Sequence, residues 1–258
     1  MLEYVINGKQ DGPVVLMGSS LGATTRMWDN QIPYLEQDYK VVRFNAPGHG
    51  SAEEGIRNLA PGDKSASTVE GFAQQVLELA DHLEAETFSY VGLSLGGAIG
   101  QELAIQAPER VDKLVLACTA AKFAVPEVWE DRAALVRERG MEPLREPSAG
   151  KWFTEGFAES SQEAQQLLDE LVALQPQGYA AACDAVSRFD STGQLAQISA
   201  PTLVVAGAED VSTPPEVVKV LADGISGARF EIVEGAAHLG NVEARDEFGR
   251  LISQFLTL

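Results

Sequence analysis

The chain has 258 residues, 45% of them hydrophobic, and its 38 acidic and 19 basic side chains give a formal net charge of −19. That length suits one α/β domain carrying an insertion rather than two independent domains, and the charge, with no clustering of Lys and Arg, argues against phosphate-backbone binding. No basic start with an apolar stretch behind it opens the chain, and no run approaches the roughly 18 apolar residues of a membrane span. A cytoplasmic protein with neither a nucleic-acid nor a membrane partner is therefore expected. The two cysteines, Cys118 and Cys183, make neither a disulfide framework nor a metal cluster and are expected to be buried free thiols.

Strand-like runs at residues 4–6 and 14–17 come first, the second opening into the turn Gly18-Ser19-Ser20-Leu21-Gly22. A third run, 41–44, leads into Pro47-Gly48-His49-Gly50. A helix follows, with Ser67 and Glu70 at capping-box spacing and Val69, Phe72, Ala73, Val76, Ala80 and Leu83 on one face. The run 88–91 precedes Gly92-Leu93-Ser94-Leu95-Gly96, and the run 114–117 ends at Cys118. From there to Ser199 the rhythm changes to helix, turn and helix without a strong strand, punctuated by Pro126, Pro143, Pro147 and Pro176. Residues 121–196 thus read as a helical cap inserted into a core made of residues 1–120 and 197–258. Runs at 203–206 and 230–233 complete the strands, and Phe248, Leu251, Ile252 and Phe255 mark the face of a C-terminal helix. The alternation predicts the α/β class, with a mostly parallel central sheet and helices on both faces.

Gly92-Leu93-Ser94-Leu95-Gly96 lies between a strand and a helix of small residues, the context a nucleophile elbow requires. Glycine two residues before and two after the serine lets the backbone reverse without collision, so that Ser94 presents its hydroxyl above the sheet. Such a serine needs a histidine base and a carboxylate to orient that base. His238, on the loop between the run 230–233 and the C-terminal helix, is the expected base. His49 is the weaker candidate, with a hydrogen-bonding role in its turn as the alternative, and His82 lies within a helix. The run 203–206 opens into Gly207-Ala208-Glu209-Asp210, where Asp210 is the expected acid and Glu209 the reserve. The order Ser, Asp, His is that of α/β-hydrolases. An oxyanion hole would come from the backbone N–H of Leu95, at the start of a helix, and that of Leu21 in the early glycine-rich turn.

With these motifs in place, the chain resembles the α/β-hydrolase superfamily, and several segments are similar to the 3-oxoadipate enol-lactonase family. The similar segments are Ser20-Leu21-Gly22 with Met27-Trp28-Asp29-Asn30-Gln31-Ile32-Pro33, then Pro47-Gly48-His49-Gly50, the elbow, and Ala107-Pro108-Glu109-Arg110-Val111. They continue through Gly140-Met141, Trp152-Phe153-Thr154 and Gly178-Tyr179-Ala180-Ala181 to Ala206-Gly207-Ala208-Glu209-Asp210 and Gly235-Ala236-Ala237-His238-Leu239. Two departures stand out: Asn45-Ala46-Pro47 replaces the family's usual Asp-Thr-Arg, and the segment 53–65 is longer and more irregular. The resemblance implies hydrolysis of a small lactone bearing a carboxylate through an acyl-enzyme, with no metal or organic cofactor. The substrate carboxylate would then need cations, for which Arg132, near Trp129, and Lys151, beside Trp152, are the candidates, with Arg26, near Trp28, as another. Trp129 and Trp152 would wall the pocket.

Overall fold

The computed structural model describes residues 1–50, 67–123 and 125–258. The irregular segment 53–65 lies outside them. Seven strands form one sheet: β1 (Tyr4–Gly8), β2 (Val14–Gly18), β3 (Lys40–Phe44), β4 (Phe88–Leu93), β5 (Val111–Ala117), β6 (Thr202–Gly207) and β7 (Arg229–Val233). Their order is β1-β3-β2-β4-β5-β6-β7, with β1 antiparallel to β3 and every other pair parallel. The sheet is therefore the mostly parallel one expected of an α/β-hydrolase. Every residue of β4 and of β6 is buried, as central parallel strands covered by helices on both faces must be. β1, at the edge, is at most half-buried along its length.

Parallel strands send all their exits to one edge of the sheet. The turns after β2, β3, β4, β6 and β7 hold Leu21, His49, Ser94, Asp210 and His238 respectively, so residues far apart in sequence share that edge. The helix Leu95–Gln106 follows β4 directly, and its buried small residues let it lie close over the sheet. The C-terminal helix, Arg245–Thr257, buries Phe248, Leu251, Ile252 and Phe255, the stripe expected from their spacing.

The helix Val69–His82 buries Val69, Phe72, Ala73, Val76 and Ala80 as expected, but its N-terminus differs from the sequence reading. Thr68, in extended conformation, is the cap, and its hydroxyl accepts the Gly71 N–H at 3.0 Å. The Ser67 and Glu70 spacing is thus one residue out of register with the cap that forms. Threonine at this position supplies the same acceptor as serine, and the backbone decides between them.

Between β5 and β6 the described residues form the α-helices Pro126–Arg139, Arg145–Trp152, Phe157–Ser160, Gln162–Ala173 and Pro176–Arg188. Pro126 and Pro176 each open a helix, where the missing N–H costs nothing. Pro147 lies in the first turn of Arg145–Trp152 and does not divide the segment. An isolated bridge pairs Lys122 with Asp190 at the base of these helices, and the Lys122 Nζ to Asp190 Oδ2 distance is 2.9 Å.

Candidate active site

Ser94 sits between the end of β4 and the first residue of the helix behind it, with φ 57° and ψ −114°. A positive φ on a non-glycine residue is held only when its surroundings demand it. Here the Ser94 N–H donates to Ala117 O at 3.0 Å and the Ser94 carbonyl accepts from Thr119 Oγ1 at 2.7 Å. The flanking glycines are required by contact: a Cβ on Gly92 would fall on the Gly96 carbonyl, and one on Gly96 would fall on that of Gly18. Ser94 is 7% exposed and lines a cavity of about 50 Å³.

His238 lines the same cavity, and its Nδ1 is 2.8 Å from Asp210 Oδ2. Both side chains are buried. The carboxylate is further held by the N–H groups of Ser212 and Thr213 on Oδ1, at 2.8 and 3.0 Å, and by Thr213 Oγ1 on Oδ2 at 2.8 Å. Burial opposes its ionisation, but the charge of His238, the hydrogen bond from His238 and the Thr213 donors outweigh it, and Asp210 is held below the usual carboxylate range. With Nδ1–H committed to Asp210, Nε2 is the free ring nitrogen. Ser94 and His238 share the cavity without a direct hydrogen bond among the described residues. Cys118 lies beside the acid with φ 44°, fully buried, its thiol pushed well up by burial and by Asp210. Cys183 is also buried and free.

The remaining candidates separate clearly. Glu209 is exposed and does not line the cavity, and His82 is exposed on its helix with an edge contact to Tyr4. His49 is buried, but its Nε2 accepts the Gly22 N–H at 2.9 Å and its Nδ1 faces Pro47 O at 3.3 Å. Burial brings its pKa down to about 4, with the Pro47 carbonyl pulling weakly the other way. Hydrogen bonding within the early turns is thus what His49 does. The amides of Leu21, which lines the cavity, and of Leu95, next to Ser94, have no partner among the described residues, while their neighbours Ser20, Gly22 and Gly96 are all engaged. The Asn45 departure keeps a working acceptor, since Asn45 Oδ1 takes the Thr25 N–H at 2.9 Å.

The helices between β5 and β6 supply the other wall through Trp129, Arg132, Lys151, Trp152 and Tyr179. Arg132 lies over the Trp129 ring at 5.1 Å and reaches Tyr179 Oη at 3.5 Å. Neither Arg132 nor Lys151 has a carboxylate partner among the described residues. Lys151 is held below its usual range by partial burial first and by the Arg132 charge second. The indole N–H of Trp129 is buried and unpartnered. Arg26 behaves differently: its Nε is 2.5 Å from Glu170 Oε1, and it does not line the cavity. Tyr179, Thr213, Phe123 and Ser148 line the cavity without having been expected there. For Thr213 the signal was available in the turn Asp210-Val211-Ser212-Thr213, where a hydroxyl three residues after an acid can cap it.

A nucleophile-elbow serine and a histidine–carboxylate pair at the carboxyl edge of a mostly parallel sheet define a hydrolase of the α/β-hydrolase type. The chain belongs to that family, whose model for the alpha/beta hydrolase fold matches residues 12–244. Among its relatives, the 3-oxoadipate enol-lactonase 2 of Acinetobacter baylyi is 35% identical over 252 residues, covering 97% of this chain and 91% of the relative. The crystal structure of the enol-lactonase from Burkholderia xenovorans superimposes with a TM-score of 0.93 at 32% identity, covering 100% of this chain and 96% of that one. A putative carbamate hydrolase, RutD, of Rhizobium rhizogenes is 27% identical, covering 99% of this chain and 97% of the relative.

Proposed function

We propose that the protein is a serine hydrolase that opens 3-oxoadipate enol-lactone, a small lactone bearing a carboxylate, to 3-oxoadipate in aromatic catabolism. The observation that carries this reading is the pair Arg132 and Lys151, which faces the same cavity as Ser94 and His238 with no acidic partner among the described residues. In a chain of net charge −19, two cations left unpaired beside a nucleophile call for an anion from outside.

In this reading residues 121–196 act as a cap that places the substrate carboxylate, while the core performs the chemistry. Ser94 Oγ attacks the ring carbonyl as His238 Nε2 takes its proton, and Asp210 holds the resulting imidazolium. The Leu21 and Leu95 amides receive the oxyanion, the second with the help of the helix dipole behind it. Collapse breaks the ring C–O bond and releases an enolate that takes the proton from His238 and ketonises. Because the leaving group is tethered, it stays in the acyl-enzyme. His238 then activates one water, which cleaves the acyl ester and returns Ser94. The steps require no metal or organic cofactor, and we take the cytoplasm to be where they occur.

The tethered leaving group gives a direct test. Rapid-quench mass spectrometry of the enzyme with the lactone should find the Ser94 peptide heavier by the entire mass of the lactone. A smaller increment, or labelling elsewhere, would contradict a ring-opening acyl-enzyme. The carbamate-hydrolase relatives favour a second reading, a different small-ester or amide substrate. It predicts no adduct from the lactone but rapid acylation of Ser94 by uncharged esters.

A further inference from the structure

The turn that carries the Leu21 amide has two anchors on the rest of the molecule. At its start Ser19 O accepts the Gly96 N–H at 3.0 Å, tying it to the elbow helix. At its end the Gly22 N–H donates to His49 Nε2 at 2.9 Å. Between them Ser20 N–H has only the Met27 thioether, a weak acceptor, at 3.3 Å. Gly22 has φ 87°, a conformation open to glycine, and while the Ala23 N–H closes the turn on Ser20 O at 3.0 Å, the second anchor ties its far end to the loop after β3.

His49 is itself fixed. Its Nδ1 faces the Pro47 carbonyl, which places the proton there and leaves Nε2 as an acceptor. The Tyr179 ring stands 6.0 Å from the imidazole and also packs on Gly22, where a Cβ would come within 3.2 Å of it. Gly48 lies backbone to backbone on Gly178, with 2.7 Å left between a Cβ there and Gly178 Cα. Burial keeps the ring uncharged near neutral pH, as acceptance through Nε2 requires.

We propose that His49 is a positioning residue of the oxyanion hole, its neutral imidazole accepting the Gly22 N–H and so holding the Leu21 amide where the tetrahedral intermediate needs it. The inference deepens the serine-hydrolase reading and rests on it. A base is excluded as the role of His49, because its free lone pair is spent on the backbone.

Two substitutions separate the two hydrogen bonds of the ring. In His49→Gln the side-chain carbonyl can stand where Nε2 stood, whereas in His49→Asn the shorter amide can meet only Pro47. With phenyl acetate, whose turnover needs the serine and the oxyanion hole but no carboxylate grip, His49→Gln should keep kcat within about 3-fold. His49→Asn should lose about 10- to 100-fold in kcat at unchanged KM, less than the loss of a whole oxyanion donor. Phenylboronic acid, which forms a tetrahedral adduct on Ser94, should bind His49→Asn more weakly by a similar factor. Equal losses in the two variants, or a loss confined to KM, would overturn the proposal. If His49→Asn does not fold, the ring tautomer decides: nitrogen NMR of the wild-type protein should show Nδ1 protonated and Nε2 bare, and an Nε2–H tautomer would overturn it. Phenyl acetate keeps this test readable even if the enol-lactone proves not to be the substrate.

Discussion

The carboxylate of Asp210 meets His238 with an oxygen that also receives the Thr213 hydroxyl: Oδ2 lies 2.8 Å from His238 Nδ1 and 2.8 Å from Thr213 Oγ1. Thr213 Oγ1 is itself 3.5 Å from the ring nitrogen, so the acid is held in place by a group that leaves the histidine its partner. Replacing Asp210 with Asn removes the acceptor that selects the Nδ1–H tautomer. By comparison with other triads kcat should fall by about 10⁴-fold with little change in KM. Steady-state kinetics check this, and a comparable loss in Glu209→Gln would contradict the choice of acid.

The backbone at Ser94 predicts a conflict between function and stability. With φ 57° and ψ −114°, Ser94 occupies a region that glycine enters without penalty. Ser94→Gly should therefore unfold at higher denaturant, by about 1 kcal/mol, while losing turnover completely. Ser94→Ala should lose turnover equally and gain no such stability. A Ser94→Gly protein less stable than Ser94→Ala would show that the strain is absent.

The unpaired cations predict a loss that depends on substrate charge. Arg132→Leu should raise KM for a carboxylate-bearing lactone by about 10- to 100-fold, the scale of one charged hydrogen bond, and leave phenyl acetate kinetics nearly unchanged. Arg132→Lys should restore little, because the planar guanidinium stacks on Trp129 and an ammonium does not. Equal losses for both substrates would assign Arg132 to packing rather than to the anion.

At the base of the helices between β5 and β6, Lys122 and Thr192 hold the Asp190 carboxyl down to about 2 from its ordinary value of 3.8. A folded pKa below the unfolded one contributes stability above the unfolded value and loses it as pH falls through the folded one. Asp190→Asn should thus be slightly less stable than wild type above about pH 4, the two converging toward pH 2. The pair is exposed, so the gap should stay within about 1 kcal/mol. Thermal unfolding across this range checks it, and a gap that widens toward acid would contradict the sign.

The strands, the elbow and the order of the candidate partners were legible because parallel topology brings strand ends together, and each candidate site residue lies in the turn after an apolar run. Val111-Asp112-Lys113 hid the first half of β5, since two polar residues interrupt the hydrophobic signal that pairing with β4 overrides. The partner of Arg26, Glu170, is 144 residues away and could not be inferred from composition near Trp28. Tyr179 was visible as part of a family-like segment, yet its place in the cavity depends on how Pro176–Arg188 lies over Gly22. His49 is the instructive case: the sequence offers both a weaker candidate base and a hydrogen-bonding role in its turn, and the structure adds that the bond it accepts comes from Gly22, in a different turn.

Whether the protein is an enol-lactonase is decided by ultraviolet-monitored hydrolysis of freshly generated 3-oxoadipate enol-lactone by the purified protein, with Ser94→Ala and phenyl acetate run alongside. The lactone should be lost rapidly, in a reaction that disappears in Ser94→Ala and exceeds phenyl acetate turnover in kcat/KM. Rapid phenyl acetate cleavage with no loss of the lactone would contradict it, leaving a serine hydrolase whose cations recognise a different anion.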